Sequence, residues 1–543
     1  MSSNNKKFYI TTSIAYTNAP PHIGFALELV QADVLARYHR LLGDDVFFLT
    51  GTDEHGFKIA EAAEKAGKKP EVFVNEISAQ FEKLTNILNI SNNDFIKTTE
   101  KRHFPVVKEV WNKLKEKEDL YLKNYEGWYC KGCEAFIIER TSHEAGPARC
   151  LVHGQQCELV KERNWFFKLS KPEYQAEIRK KIENVELKIL PEARKNEVLG
   201  ILNQKWTDFS DNLKEKRGLT DISFSRAAAK LTWGIPVPDD PSQTIYVWAD
   251  ALTNYISALG YPDGEKFKRY WPADVQCIGK DILKFHTLIW PAMLLSLGLE
   301  LPKTIFVHGF ITADGQKMSK SLGNVVDPFE LVEKYGADAV RYFLLREIPS
   351  TEDGDFTIEK FIERCNADLK NGIGNLLYRT LTMAENYWGG IIPKIIPNDA
   401  ETLSLGKISG SYVYNYQDEL NKKFNKSFKD IVNFSFNNSL FESITAVFIC
   451  QSYIEQHKLY KSSEFIGKEE TRDVILYNTL EGIRHIAWML LPFLPNTANK
   501  IFEQLGLNLK EEKNKSLEET IRWGELKPGT KIKKGSHLFE KFI

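Results

Sequence analysis

No apolar run in these 543 residues is long enough to cross a bilayer. The longest uncharged apolar stretch around Trp290 runs from Thr287 to Leu299 and is broken by Pro291. A spanning helix needs about 20 such residues. The first ten residues, MSSNNKKFYI, also lack the apolar segment of a secretory signal. A cytoplasmic location is therefore expected, and a membrane partner is not. Net charge is nearly absent too, because 72 basic against 73 acidic side chains leave −1. Any affinity for nucleic acid must come from local patches rather than bulk charge. Cysteine is sparse. Four of the seven crowd into one short region and the total is odd, which does not suit a disulfide framework. Cys277, Cys365 and Cys450 are scattered and fit buried core thiols.

What is present is the balance of a folded globular enzyme, 43% hydrophobic and 27% charged. The chain is too long for one core, so several domains are expected. Phe8 to Ile14 reads as a strand, aromatic and β-branched without charge. Asn18-Ala19-Pro20-Pro21 breaks it, and a helical period starts near Gly24 with Leu27, Val30, Val34 and Leu41. Asp45–Thr50 is a second strand, completing a β-α-β unit. From about Leu120 to Trp233 the pattern shifts to short aromatic segments and paired cysteines, an insertion with its own small core. The α/β rhythm then resumes, with strands at Thr244–Trp248, Val275–Ile278 and Ile305–Val307 and helices at Ala251–Leu259 and Leu283–Leu297. Pro328–Gly336 is a short helix closed by glycine. Beyond about Phe361 only amphipathic helices are expected.

Four groups of residues carry chemistry. Lys317-Met318-Ser319-Lys320-Ser321 places two ammonium groups three apart on a Gly-flanked loop, a mobile clamp for a triphosphate. His22-Ile23-Gly24 follows a strand and opens a helix, where amides bind anions and an imidazole can donate to a phosphate. Asp281, in Gly279-Lys280-Asp281 just after a strand, stands where an acidic residue can hold ribose hydroxyls in a doubly wound sheet. Cys130-x-x-Cys133 and, sixteen residues later, Cys150-x-x-His153 have the spacing of a closed, structural zinc site. Cys157 lies close enough to replace His153, and either residue is an acceptable ligand.

His22-Ile23-Gly24 together with KMSKS resembles the paired signatures of class I aminoacyl-tRNA synthetases. SIAYTNAPPHIG, FLTGTDEHG, YVWADALTNYI, IGKDILKFHTLIWPA, HGF…KMSKSLGN, NADLKNGIGNLLYR and LPFLPNTANKIFEQLGL extend that resemblance to the methionyl-tRNA synthetase family over nearly the whole chain. Phe25 departs from the family, which usually has a second His there, and a phenyl ring cannot hydrogen-bond phosphate.

The resemblance implies an α/β class I Rossmann-like doubly wound parallel sheet with a zinc-containing insertion, followed by an all-α anticodon-binding domain. The expected boundaries are 1–118 and 234–315 for the two halves of the catalytic domain, 119–233 for the insertion, 316–360 for the lysine-loop region and 361–543 for the helical domain. It implies a methionine–tRNA ligase with ATP, L-methionine and tRNA(Met) as partners, Mg²⁺ with ATP, one structural Zn²⁺ and a monomeric chain. His22, Gly24, Gly279, Asp281, Lys317 and Lys320 would bind ATP, with His22, Lys317 and Lys320 catalytic. Ile14, Tyr16, Trp248, Ala251, Leu252, Tyr255, Ile282 and His286 would line the methionine pocket, with Asp53 facing the ammonium. The chemistry agrees, since a thioether favours an aromatic, apolar pocket. Asn375 and Arg379, four apart on one helical face, would read the anticodon, with Tyr460 stacking where the family has Trp. Two other functions compete with this reading: a synthetase for another apolar amino acid, and a non-catalytic tRNA-binding paralogue. The first would carry a larger editing insertion, and the intact lysines and acids argue against the second.

Overall fold

The computed structural model describes residues 6–130, 135–136, 149–150, 156–208, 214–318, 324–394, 416–459 and 469–543. Its first half is built on β1 (Lys7–Thr11), α1 (Ile23–Leu41), β2 (Asp45–Asp53), α2 (Pro70–Ile87), β3 (Asp94–Lys97), β4 (Lys188–Leu190), β5 (Val275–Gly279) and β6 (Thr304–His308). These six strands run in the order β3-β2-β1-β5-β6-β4 in one seven-stranded parallel sheet, whose remaining strand, Ala15–Tyr16, pairs with the end of β2. Lys7 pairs with Asp45, Ile10 with Val275 and Cys277 with Phe306. The chain leaves β1 toward β2 on one side, and β5 lies on the other. A topological switch point therefore opens between the carboxyl ends of β1 and β5, where open α/β sheets place ligands.

Helix α1 covers this sheet and is buried along most of its length. Its sequence is mainly apolar, yet Glu28, Gln31 and Asp33 are buried within it. Burial of such groups requires partners. Glu28 accepts from the Ser13 amide (2.6 Å) and from the Ser13 hydroxyl, and bonds His308 Nε2 at 2.9 Å. Asp33 pairs with Arg37 and with the fully buried Arg341, both at 2.7 Å. The Arg341 guanidinium also donates to the carbonyls of Leu88, Pro492 and Phe493. One cation thus joins the main helix on the parallel sheet to the carboxyl-terminal helices.

Those helices include α3 (Ala337–Arg346), α4 (Asn375–Trp388), α5 (Tyr416–Val432), α6 (Phe436–Gln456) and α7 (Glu469–Leu490). The last described strand is Gly354–Phe356, so the expected loss of strands past about residue 361 is met among the described residues. Leu27, Val34, Val340, Leu376, Leu440 and Ile483 share one apolar core, so the helical half packs directly on α1.

Two expectations change. Thr244–Trp248 is not a strand of the parallel sheet: the strand is Asp240–Ile245, in a separate antiparallel sheet, and Trp248 sits on the helix Val247–Leu252. The β-branched and aromatic run TIYVW mimics a strand throughout, but the chain turns into the helix at Tyr246. Within 119–233, β4 pairs with β6 as the outer strand of the main sheet, and Ile178, Ile189 and Val198 join its core. Packing therefore continues through part of the expected insertion. A three-residue edge strand carries too little pattern to announce this. Leu120–Cys130, Ala135–Phe136, Glu158–Phe167 and Ile222–Ser223 form a separate antiparallel sheet.

Candidate active site

His22 is the N-cap of α1, and its Nδ1 accepts a hydrogen bond from the Gly24 amide at 3.1 Å. Because Nδ1 accepts, a neutral ring carries its proton on Nε2. Crowding by the protein lowers the His22 pKa below the ordinary imidazole value, opposed by the nearby Asp281 carboxylate. The ring surface is nevertheless open to solvent, as a group that meets a ligand must be. Gly24 is required sterically, since a Cβ there would lie 2.9 Å from the His22 ring.

The open amides expected at this helix start are not open. Gly24 N–H is capped by His22, Phe25 N–H bonds the His22 carbonyl, and Ile23 N–H donates to the Val326 carbonyl at 3.3 Å. An N-cap residue exists to satisfy such donors, and here the signature His does so itself. Val326 lies a few residues past the lysine run, so that bond ties the segment following the run to the start of α1. Lys317 ends the two-residue strand Gln316–Lys317, while Lys320 lies outside the described residues.

Phe25 packs edge-on against Phe81 of α2, ring centroids 5.1 Å apart, within a cluster that includes Ala15 and Ile77. Phe25 is thus an apolar bracket for α2.

On the other side of the switch point, a Cβ on Gly279 would meet Asp281 Oδ1 at 2.8 Å and the His308 ring at 3.8 Å. Asp281 thus lies between β5 and β6, exposed, and within electrostatic range of both His22 and His308. Burial lowers the His308 pKa, but the Glu28 carboxylate more than offsets it and the net shift is upward. Ser13, Glu28 and His308 escaped the motif reading. An acid inside an apolar helix was the signal that could have found them.

Ile14, Tyr16, Trp248, Leu252, Tyr255 and Ile282 all belong to or pack on one apolar cluster, and Ala251 is buried beside them. Trp248 stacks on Phe285 at 3.8 Å, a residue the sequence did not single out, and meets His286 edge-on. Such pairs contribute about 0.5–1.5 kcal/mol beyond area burial. His286 Nδ1 donates to the Ile282 carbonyl (3.1 Å), so Nε2 accepts from the Tyr255 hydroxyl (2.7 Å). Accepting from Tyr255 requires the neutral ring, and burial, outweighing the opposing hydrogen bond to the Ile282 carbonyl, lowers its pKa to about 4.

That shift has a sign. Between roughly pH 6.5 and 4 the unfolded chain binds this proton and the folded one does not, so stability falls as pH drops through that window, by about 3 kcal/mol in full. Methionine affinity, in contrast, should stay flat from pH 7 to 5 because His286 keeps its acceptor for Tyr255. Calorimetric titration at three pH values checks this, and a decline centred near 6.5 would contradict it.

Asp53 ends β2, is buried, and accepts the His55 amide at Oδ1 (3.3 Å). In the helical half, Asn375 opens α4 just after a π-helical stretch, Cys365–Gly374, in which Gly372 leaves helical geometry. Gln451 donates to the Asn371 and Gly372 carbonyls there. Asn375, Arg379, Gln451 and Ile454 line one small surface cavity, and Arg379 pairs with Glu455 at 3.0 Å. Tyr460 lies outside the described residues.

For the zinc site, Cys133 and His153 lie outside the described residues, and no group of three metal-binding side chains is arranged as a cage among those that are described. Cys130, Cys150 and Cys157 are nevertheless buried together against Trp128. Burial and the two neighbouring thiols push Cys157 up to about 11. The cluster brings Cys157 beside Cys130 and Cys150.

A family description, tRNA synthetases class I (M), matches residues 8–381. A methionine–tRNA ligase of Caldanaerobacter subterraneus is 43% identical over 541 residues, 99% of this chain and 79% of that protein. That of Thermotoga maritima is 40% identical over 98% of this chain and 80% of its own length. The chain belongs to the class I methionyl-tRNA synthetase family. Mycobacterium tuberculosis methionyl-tRNA synthetase, solved with methionyl-adenylate, superposes with a TM-score of 0.87 at 36% identity, covering 98% of this chain and 99% of that one. The family accounts for the parallel α/β sheet and the helical half.

Proposed function

We propose that this protein is a methionine–tRNA ligase that condenses L-methionine with ATP to methionyl-adenylate and pyrophosphate, then transfers methionine to the terminal adenosine of tRNA(Met). The observation that carries this reading is the convergence of His22 and Asp281 at the switch point of the same sheet that holds the Trp248–Tyr255–His286 pocket.

In this reading the methionine carboxylate attacks the α-phosphate in line. The Nε2–H of His22 and the ammonium groups of Lys317 and Lys320 stabilise the charge that develops on phosphate oxygens. Asp281 holds the ribose hydroxyls, with Gly279 leaving room for them, and Asp53 holds the methionine ammonium. Mg²⁺ accompanies ATP. Little covalent chemistry falls to the protein, so positioning supplies most of the rate. The ribose of tRNA then attacks the acyl carbon, and AMP leaves. Charging of a tRNA(Met) transcript with labelled methionine tests the reading. Absence of charging by protein that makes the adenylate would reject the transfer step.

The helical domain, 361–543, would read the anticodon through Asn375, Arg379 and Tyr460. A structural zinc would be held by Cys130, Cys133 and Cys150 with a fourth ligand, and the buried cluster favours Cys157 over His153. Accordingly, Cys157→Ser should release zinc from the purified protein while His153→Ala retains it. Elemental analysis of both variants decides between them, and the reverse pattern would restore His153. We place the chain in the cytoplasm, acting as a monomer.

A further inference from the structure

Asp250 is a buried carboxylate with no part in the scheme above. It is 1% exposed and sits on the helix Val247–Leu252, among Trp248, Ala251 and Leu252 of the thioether pocket. His55 Nδ1 meets its Oδ2 at 2.7 Å, and His103 Nε2 meets its Oδ1 at 2.7 Å. His103 Nδ1 in turn bonds the Ser257 hydroxyl at 2.7 Å. Burial would raise the carboxyl, but the two histidines outweigh it and bring Asp250 down to about 2.

A carboxylate that accepts a hydrogen bond on each oxygen from two imidazoles is held in one orientation. The two histidines come from different segments. His103 precedes the helix Phe104–Glu116, and His55 lies two residues past Asp53. His55 is held on its other faces as well, edge-on to Phe104 and against Trp233, whose indole donates to the Glu54 carbonyl. The same residue's backbone amide is the donor to Asp53 Oδ1. A continuous path therefore runs from the helix that lines the thioether pocket, through Asp250 and His55, to the carboxylate placed at the ammonium.

We propose that Asp250, acting through His55, is a positioning residue that sets the distance between the ammonium anchor Asp53 and the thioether pocket, and so tunes affinity and chain-length selectivity for the amino acid. The inference rests on Asp53 as the ammonium partner. It predicts a dependence on the amine that a merely structural role would not produce, because Asp250 acts through His55 on the group that binds the amine.

The test uses ATP–pyrophosphate exchange by the full chain. Asp250→Asn keeps size but cannot accept from both imidazoles in their present tautomers. It should raise the methionine KM at least tenfold and leave the ATP KM within twofold. The amine-less analogue 4-(methylthio)butanoate, used as a competitive inhibitor, should bind the variant and the wild type alike. His55→Leu should reproduce the pattern, and Asp53→Asn combined with Asp250→Asn should be no worse than Asp53→Asn alone.

A folded Asp250→Asn with unchanged methionine KM would overturn the proposal. So would equal weakening of methionine and the amine-less analogue, which would show general damage to the pocket. Loss of fold in both Asp250→Asn and His55→Leu would also overturn it, by showing that the network serves stability rather than position. If Asp53→Asn alone leaves the methionine KM unchanged, the assignment of Asp53 fails instead.

Discussion

Replacing His22 by alanine should lower methionine-dependent ATP–pyrophosphate exchange by about 100- to 1,000-fold, the usual loss when one donor to transition-state charge is removed. Two contributions must be separated. The side chain caps α1 through Nδ1, and loss of a helix cap costs about 0.5–2 kcal/mol of stability. Its Nε2–H is the group proposed to face phosphate. His22→Asn distinguishes them, since the amide oxygen can still accept from Gly24 while nothing occupies the position of Nε2. Thermal stability should recover in His22→Asn and exchange should not. The methionine KM should change little in either variant, because the contact belongs to the transition state rather than to amino-acid binding. Recovery of exchange along with stability would reduce His22 to a helix cap. The departure at Phe25 sharpens the expectation: with that side chain turned onto Phe81, it leaves His22 as the imidazole of the signature.

Arg379→Ala should reduce aminoacylation efficiency at least tenfold, about 1.4 kcal/mol, with exchange almost unaffected. Adenylate formation uses only ATP and methionine at the sheet's switch point, whereas Arg379 lies on the α4 surface beside Asn375 and Gln451. Its ion pair with Glu455 is largely exposed, so little stability depends on it. The loss should therefore appear in tRNA recognition rather than in folding. Arg379→Lys should not restore charging, because a point charge lacks the planar fork of donors that can bridge a base edge and a phosphate. Equal charging of tRNA(Met) and of a transcript with an altered anticodon by the wild type would show that this face reads nothing.

How much of this was legible in the sequence depended on how far apart the partners lie. His22 and Gly24 are adjacent and the lysine run is compact, so both stood out as motifs. The apolar pocket was legible only through resemblance, since nothing in WADALTNY alone says that its aromatics face a ligand. Glu28 bonds His308 across 280 residues and Asp250 bonds His55 across 195. No local pattern reports such a contact, yet buried acids in otherwise apolar segments are its trace. The strand at Asp240–Ile245 was misjudged for the opposite reason: local β propensity continued through Trp248, while tertiary packing bent the chain into a helix at Val247. At α1, the expected free amides were taken up by the His22 side chain and by Val326, a capping choice that periodicity does not encode.

Measuring ATP–pyrophosphate exchange by the purified protein with each of the twenty amino acids tests the central claim most directly. Exchange should be strong with methionine and near background with leucine, isoleucine and valine. On the proposed assignment an unbranched thioether would fill the Trp248–Tyr255–His286 pocket, whereas β- and γ-branched side chains would meet its packed aromatic rings. Strong exchange with another apolar amino acid, or none with any of the twenty, would contradict the account.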